Sequence, residues 1–422
     1  MSSSHTVVGI DIGNSLVKTV VAELDRETQN PRILGVGISE SHGLRKGVVV
    51  DMGEAIRDIE ESVKKAETSS GVKIRRAYVS VNGLHIKNQL SRGVIAVSKA
   101  DNEIAPHDLE RVIDAASIVS LPANREIIHI LPKNYLVDGQ EYVKNPLGMK
   151  GVRLEAEVLI IDGLSPYIRN IAKCLNANDI EVVEFVFSPL AASYSVLDKN
   201  QKEHGVLNLD LGGGVSTLSF FHEGELAYAA TLPLGSRHIT NDLAVALRTS
   251  MDIAETVKLQ HGYACANLVS QKNLVGHGKR DEIDLSDIIG EENFVIPKKN
   301  IAKVVDARIG EVFEMVQSEM KKMPHSGMIP AGIVITGGGA KLPGLSSFVK
   351  DKLKLPVRIG IRYPFEGMAD QVEDPSLAVA AGLILYGMEK EYSKARSSSS
   401  LSLVEYFNPL KKFFSWLKNF SP

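Results

Sequence analysis

The sequence predicts an α/β protein made of two related halves, with a smaller α+β module set into the first. Three observations carry this. A strand ending in Asp-x-Gly and followed at once by a second strand occurs at Val8-Gly9-Ile10-Asp11-Ile12-Gly13 with Leu16 to Val21. The same layout returns at Val206-Leu207-Asn208-Leu209-Asp210-Leu211-Gly212 with Val215 to Phe221. A repeat at so long a period describes a duplicated domain, not a solenoid. Strands alternate with amphipathic helices through both halves. Between about Leu84 and Gly163 that alternation gives way to short β stretches around one helix.

In order along the chain, Val7 to Ile12 and Leu16 to Glu23 are expected to form a hairpin through the turn-prone Gly13-Asn14-Ser15. Nearly every position is apolar, so both faces should be buried. Ile33 to Ile38 supplies a third strand. Glu54 to Ala66 has the helical period, with Ile56, Ile59 and Val63 apolar among charges, and Arg76 to Val81 returns as a strand. In the module, Val94 to Val97, Glu126 to Val137 and Glu155 to Ile161 read as strands. Its helix begins at Pro106, with Leu109, Val112, Ile113 and Ala116 in one stripe. Tyr167 to Asn176 is a helix, Val182 to Phe187 a strand and Pro189 to Leu197 a helix. After the repeated hairpin, Ser236 to His261 reads as two helices and Gln271 to Pro297 as a polar stretch. Ile301 to Lys322 is a long helix, Gly332 to Thr336 a buried strand, Pro343 to Leu353 a helix and Pro375 to Met388 a closing helix. Beyond Glu391, Ser-Lys-Ala-Arg-Ser-Ser-Ser-Ser is a flexible linker by composition.

Composition narrows the possibilities. With 422 residues, 44% apolar and 23% charged, the chain is long enough for two or three cores. A net charge of -3 gives no global electrostatic reason to bind nucleic acid. Cys174 and Cys265 lie in unrelated segments without a CxxC or His-Cys cluster, which indicates neither a disulfide framework nor a zinc site and fits a reducing cytosol. No run of eighteen apolar residues occurs, and the N-terminus lacks the character of a secretory signal, so neither a membrane span nor secretion is expected.

A single Asp-x-Gly after a strand is most often only a tight turn. Duplicated at the same point of two halves, it calls for a shared ligand. Glycine removes the Cβ so that backbone N-H groups can close on phosphate oxygens, and Asp11 and Asp210 at the strand ends suit a hydrated Mg²⁺. A phosphate chain held between the hairpins would couple occupancy to closure of the halves. The chain contains no GxxxxGK[ST], so this is not a P-loop. A third glycine turn, Thr336-Gly337-Gly338-Gly339-Ala340-Lys341, follows a buried strand and allows close approach of a flat group such as a purine with its ribose. Alone, it would equally be a β-α connection needing positive φ.

Five segments together resemble the ATPase fold of actin, Hsp70 and the sugar kinases such as hexokinase. They are Ile10-Asp11-Ile12-Gly13-Asn14-Ser15, Ser188-Pro189-Leu190-Ala191-Ala192, Asp210-Leu211-Gly212-Gly213-Gly214, Thr336-Gly337-Gly338-Gly339 and Ala378-Val379-Ala380-Ala381-Gly382. In that superfamily they are phosphate 1, connect 1, phosphate 2, adenosine and connect 2. The resemblance implies ATP and Mg²⁺ as ligands. Gly13, Asn14, Ser15 and Lys18 with Gly212, Gly213 and Gly214 would surround the phosphates, and Gly337, Gly338 and Lys341 would approach the nucleoside. In Ala254-Glu255-Thr256-Val257-Lys258, Glu255 would accept from the ribose hydroxyls and Lys258 would lie along the purine. The alternative for that pair is an i, i+3 surface ion pair. Asp11 and Asp210 would serve Mg²⁺, through water, and position the attacking water. Connect 1 usually offers Gln or Glu where this chain has Ser188, a shorter and weaker acceptor, so hydrolysis is expected to be slow or dependent on assembly.

The module between Leu84 and Gly163, together with Leu234-Gly235-Ser236-Arg237-His238-Ile239-Thr240-Asn241-Asp242-Leu243-Ala244 and Gly332 to Gly344, resembles the FtsA family of bacterial cell-division proteins. That family carries a subdomain 1C in place of 1B. Its organisation implies subdomain 1A over 1–83 and 164–204, 1C over 84–163, 2A over 205–250 and 301–374, and 2B over 251–300. A closing helix would follow over 375–390, a linker over 391–407 and a terminal helix over 408–422. The resemblance also implies head-to-tail polymerisation through 1C and binding of FtsZ through 2B. Recruitment of later divisome proteins and a place at the septum, on the cytoplasmic face of the inner membrane, are implied with them.

The last fifteen residues hold three Lys, no acid and the chain's only Trp. Leu410, Phe413, Phe414, Leu417 and Phe420 follow helical spacing, joined by Trp416, while Lys411, Lys412 and Lys418 fall among the polar positions. Asn408 can cap, and Pro409 can occupy the first turn. A helix of about twelve residues is only ~18 Å long, too short to span, and this composition suits an interfacial helix on an anionic bilayer. Docking on the protein's own core or on a partner is the alternative. For the whole chain, the alternatives are a PilM-type pilus-assembly protein, which shares the 1C-bearing fold but lacks an anchoring tail, and a kinase of the same superfamily. The kinase would need an Asp base in a sugar-sized cleft, which no further motif suggests.

Overall fold

The computed structural model describes residues 6–24, 30–140, 142–265, 282–290, 294–324, 327, 329–360 and 365–397, with backbone alone at 369 and 392–397. By contacts the chain divides into two compact units, one of Met1–Lys87 with Gly163–Leu385, the other of Asn88–Asp162 with Tyr386–Pro422.

The first unit opens with β1 (Thr6–Ile12) and β2 (Leu16–Leu24), an antiparallel hairpin in which Asp11 faces Lys18. Its apolar positions are buried on both faces, as the composition predicts. β3 (Pro31–Glu40) extends the hairpin, and the short β4 (Leu44–Arg45) and β5 (Val48–Val49) follow. Helix α1 (Met52–Ser70) is longer at both ends than its apolar stripe indicates. Asp51 accepts from the Glu54 N-H at 2.9 Å to start it, and Gly71 at φ 69° ends it. β6 (Arg76–Val81) pairs parallel with β1.

The second unit holds β7 (Lys87–Ala96), α2 (Pro106–Ser117), β8 (Arg125–Val137), β9 (Tyr142–Val143) and β10 (Arg153–Leu164). The four strands form a sheet in the order β7-β10-β8-β9. Its core joins Val112, Ile113 and Ala116 of α2 to Leu154, Val158 and Ile160 of β10. β7 starts seven residues before the stretch that looked β-like in sequence. Exposed polar and charged residues such as Lys87 and Gln89 mask its first half.

The first unit then resumes with α3 (Ser165–Asn176), β11 (Glu181–Phe187), α4 (Ser188–Val196) and α5 (Lys199–His204). β11 completes a six-stranded sheet, β11-β6-β1-β2-β3-β19, whose last strand is the short Glu366–Gly367. The second half repeats the hairpin as β12 (Val206–Leu211) and β13 (Ser216–His222), continued by β14 (Glu225–Leu232), a strand with no separate sequence signal. Helices α6 (Ser236–Leu247) and α7 (Met251–His261) confirm the expected pair. The polar stretch before Pro297 contains β15 (Glu282–Asp284), α8 (Ser286–Ile289) and β16 (Val295–Pro297); residues 266–281 lie outside the described residues. After α9 (Lys298–Met320) come β17 (Ile333–Thr336), a 3-10 turn at Gly338–Lys341, α10 (Leu345–Leu353), β18 (Val357–Ile359) and β19 (Glu366–Gly367). The second sheet runs β14-β13-β12-β17-β18.

This second sheet has two unlike faces. Leu207, Leu209, Leu211, Leu218, Phe220, Ile333 and Ile335 bury against a core that includes Ile309 and Phe313 of α9. Each such side chain contributes about 1.5–3 kcal/mol of burial. The other face carries Asn208, Asp210, Thr217, Ser219 and Thr336, and α4 packs against β12 and β13. Helix α11 (Ala378–Ser397) crosses α4 where a Cβ on Gly382 would lie 1.9 Å from the Ala191 carbonyl oxygen. Only small residues in the two connect segments allow that approach. α11 continues to Ser397, six residues beyond Glu391 and into the stretch that composition assigns to a linker. Residues 398–422, with the rest of that linker and the amphipathic segment, lie outside the described residues.

Candidate functional site

The two hairpin turns meet inside the first unit. In each, the glycine after the Asp-x pair lies under the second strand's carbonyl: a Cβ on Gly13 would stand 2.8 Å from the Leu16 oxygen, and one on Gly212 2.7 Å from the Val215 oxygen. The duplication read from sequence is thus a duplication of turn geometry. A Cβ on Gly213 would fall 2.0 Å from Ser15 Oγ, and one on Gly214 2.9 Å from Asn14. Backbone therefore faces side chain with no room for a methyl group. Ser15 and Asn14 are fixed from behind: the Ser41 N-H donates to the Ser15 carbonyl at 2.9 Å, and the Gly47 N-H to Asn14 Oδ1 at 2.8 Å.

Around these turns lies a cleft of about 600 Å³, lined by Asp11, Gly13, Asn14, Ser15, Lys18, Asp210, Gly212, Gly213, Glu255, Lys258, Gly337, Gly338 and Lys341 among others. Of the nucleotide-site residues expected from sequence, Gly214 alone is not part of the lining; it backs Asn14. The third glycine turn joins the floor. Gly337, at φ 82°, would place a Cβ 2.1 Å from Asp210 Oδ1, so the carboxyl lies flat against it.

The two aspartates sit in different surroundings. Asp11 is buried and receives Lys18 Nζ at 3.0 Å on one oxygen and Ser80 Oγ at 2.8 Å on the other. Asp210 faces Thr217 on β13 and Thr336 on β17, where Asp11 has Lys18 and Ser80. Burial pushes the Asp210 carboxyl up to about 6, against the pull of Lys18 and with a further push from Asp11. The site thus holds one carboxylate with a bonded counter-charge and one buried carboxyl that forms no salt bridge among the described residues.

Lys258 and Glu255 form the i, i+3 pair at 2.7 Å, but not as a surface ornament. Lys258 is 9% exposed and also donates to Thr240 Oγ1 at 2.9 Å. Lys341 lines the cleft with its ammonium 2.7 Å from Asp374, 33 residues on. Ser188 is 2% exposed and its hydroxyl donates to the Val81 carbonyl at 3.2 Å, which commits its one proton away from the cleft. At the rim, buried Asp58 accepts from the His42 and Gly43 N-H groups at 2.7 and 3.1 Å and pairs with the His42 ring at 3.1 Å. That hydrogen bond raises the imidazole pKa.

Sequence reasoning did not single out Ser80, Arg237, Met251, Leu342 or Pro343, all of which bear on the cleft. Ser80 carries no local signal, because its role exists only through the pairing of β6 with β1. Arg237 follows Gly235, whose Cβ would lie 2.5 Å from the Gly212 and Gly213 carbonyl oxygens; that close docking was the available clue.

Comparison with known proteins agrees with this geometry. The sequence profile described as Cell division protein FtsA matches residues 207–382, and that described as SHS2 domain inserted in FTSA matches residues 83–162. The chain is 35% identical to Cell division protein FtsA of Pseudomonas aeruginosa over 99% of both chains. It is 36% identical to that of Bacillus subtilis over 92% of this chain and 84% of the relative, and 29% identical to that of Escherichia coli K12 over 98% and 97%. Among solved structures, the PilM-PilN type IV pilus biogenesis complex matches with a TM-score of 0.65 and 16% identity, covering 90% of this chain and 98% of that one. MreB 5 of Spiroplasma citri bound to AMPPNP matches with a TM-score of 0.53 and 15% identity over 94% and 100%. At such identities the structural likeness shows the fold, which is actin-like with an inserted SHS2 module.

Proposed function

The chain belongs to the FtsA family of cell-division proteins, and from that premise we propose that it is an ATP-binding scaffold that polymerises on the membrane and tethers FtsZ to it. The observation that carries the nucleotide part is the contact of the two glycine hairpins, Ser15 against Gly213, beside two carboxylates. The residues fit Mg-ATP: no Lys or Arg among the described residues forms a salt bridge with buried Asp210, and the glycine backbones present N-H groups without Cβ atoms between. Asp11 and Asp210 would hold hydrated Mg²⁺, and the turns at Gly13–Ser15 and Gly212–Gly214 would take the phosphates. Gly337 and Gly338 would face the nucleoside, with Glu255 and Lys258 at the ribose and base. Bound magnesium supplies charge neutralisation of the phosphates. The chain's own part is to orient the polyphosphate and bring its halves together. With Ser188 turned onto Val81, we assign ATP chiefly to conformation and assembly, and turnover to a slow side reaction.

Membrane attachment rests on the sequence of residues 408–422. No helix among the described residues is long and apolar enough to cross a membrane, and the proposed attachment is peripheral, through the terminal segment. Three Lys at ~1 kcal/mol each near anionic lipid, with the aromatics, give reversible binding. Polymerisation turns such weak anchors into a stable film by avidity. FtsZ would bind through 2B, over 251–300, and later divisome proteins would follow at the septum, on the cytoplasmic face of the inner membrane. The test is assembly on an anionic lipid monolayer with purified FtsZ. Ordered protein that requires both ATP and the tail supports the proposal. Assembly indifferent to ATP and to the tail contradicts it.

A further inference from the structure

The cleft holds three lysines, and each already faces a carboxylate: Lys18 on Asp11 at 3.0 Å, Lys258 on Glu255 at 2.7 Å and Lys341 on Asp374 at 2.7 Å. The lining adds Glu40, Asp210 and Asp252. A polyanion entering this cleft therefore meets lysine charge that is largely spent on neighbouring acids. Arg237 is different. It lines the same cleft, is exposed, and its guanidinium pairs with no carboxylate among the described residues.

Its backbone is fixed on the second glycine turn. The Arg237 N-H donates to the Gly213 carbonyl at 2.9 Å, and the Ser236 N-H to that of Gly212 at 2.8 Å. Gly235 is required for this, since a Cβ there would lie 2.5 Å from both acceptors. The first turn of α6 is thus seated on the loop that faces Ser15, and the long side chain starts from a rigid base beside it. A guanidinium presents planar, paired donors that match phosphate oxygens bidentately, and it keeps its charge at every physiological pH.

We propose that Arg237 binds the terminal phosphates of the nucleotide, as the unneutralised cation of the cleft and a determinant of preference for ATP over less charged ligands. This rests on the nucleotide assignment above and adds a residue outside the repeated hairpins. The test is calorimetric titration of the full chain with Mg-ATP, Mg-ADP, adenosine and inorganic tripolyphosphate, comparing wild type, Arg237→Gln and Arg237→Lys. Arg237→Gln is expected to weaken ATP and tripolyphosphate by about tenfold, with adenosine unchanged and Arg237→Lys in between. Unchanged ATP affinity in Arg237→Gln overturns the proposal, as does an equal loss for adenosine, which would indicate a structural effect. A wild-type chain that bound neither ATP nor adenosine would refute the nucleotide assignment itself. In that case tripolyphosphate binding lost in Arg237→Gln would still support Arg237 as an anion contact.

Discussion

Lys18 Nζ lies 3.0 Å from Asp11 Oδ2, with both side chains about nine-tenths buried, while Asp210 at the matching point of the second half has Thr217 and Thr336 for neighbours. Duplication made the two hairpins alike, and this pair of positions made them electrically different. The first half supplies a neutralised anchor, and the second supplies a carboxyl whose charge depends on what arrives.

Removing Lys18 should therefore hurt the fold as well as the ligand. Lys18→Met leaves Asp11 buried with only Ser80 for support, and breaking a buried pair on one side costs about 3 kcal/mol. Urea unfolding should show a loss of this order, and Mg-ATP affinity should fall with it. A variant as stable as wild type would mean that Asp11 finds another partner.

Asp210 predicts a pH dependence. Its carboxyl is raised to about 6 in the folded protein, above its unfolded value of 3.8, so the folded chain binds the proton more tightly. Its favourable contribution is full below pH 3.8 and is lost as pH rises through about 6. Asp210→Asn should accordingly raise the melting temperature without nucleotide at pH 7.5 more than at pH 5, while abolishing the stabilisation that Mg-ATP gives. Equal effects at both pH values would refute the assignment.

Ser188 should contribute little to turnover, because its side chain is almost fully buried and its hydroxyl is a far weaker base than a carboxylate. Ser188→Ala is expected to change the ATP hydrolysis rate by less than about twofold, far below the loss typical of a general base. A drop of a hundredfold in a phosphate-release assay would place Ser188 at the attacking water after all.

Deleting residues 408–422 should release the protein from anionic liposomes in cosedimentation while Mg-ATP binding persists. Trp416→Glu should act almost as strongly by putting charge on the apolar face, with a loss of about tenfold or more. Unchanged lipid binding in both would remove the anchor.

Much of this was legible in the sequence because it was local. The Asp-x-Gly turns, the Pro106 helix start and the stripe of α1 each declare themselves within a few residues. What pairing creates was not legible. That Lys341 would meet Asp374 depends on two turns 33 residues apart, and that Ser80 would support Asp11 depends on strands paired across 69 residues. β14 stayed hidden because its positions alternate weakly, with Ala227, Ala229 and Ala230 giving little apolar contrast. α11 runs on to Ser397 where Lys and Ser composition suggested a linker, since a helix already anchored by Leu383 and Ile384 extends through residues neutral to helix formation.

The most direct measurement concerns two adjacent glycines. A Cβ on Gly337 would strike Asp210, but Gly338 has nothing within 4 Å of its Cβ position and lines the cleft. Gly338→Trp should therefore fold with an unchanged melting temperature and fill the space assigned to the nucleoside. In a Mg-ATP titration the wild-type chain is expected to saturate with one nucleotide, and folded Gly338→Trp to show no binding; full affinity in that variant would contradict the placement of ATP in this cleft.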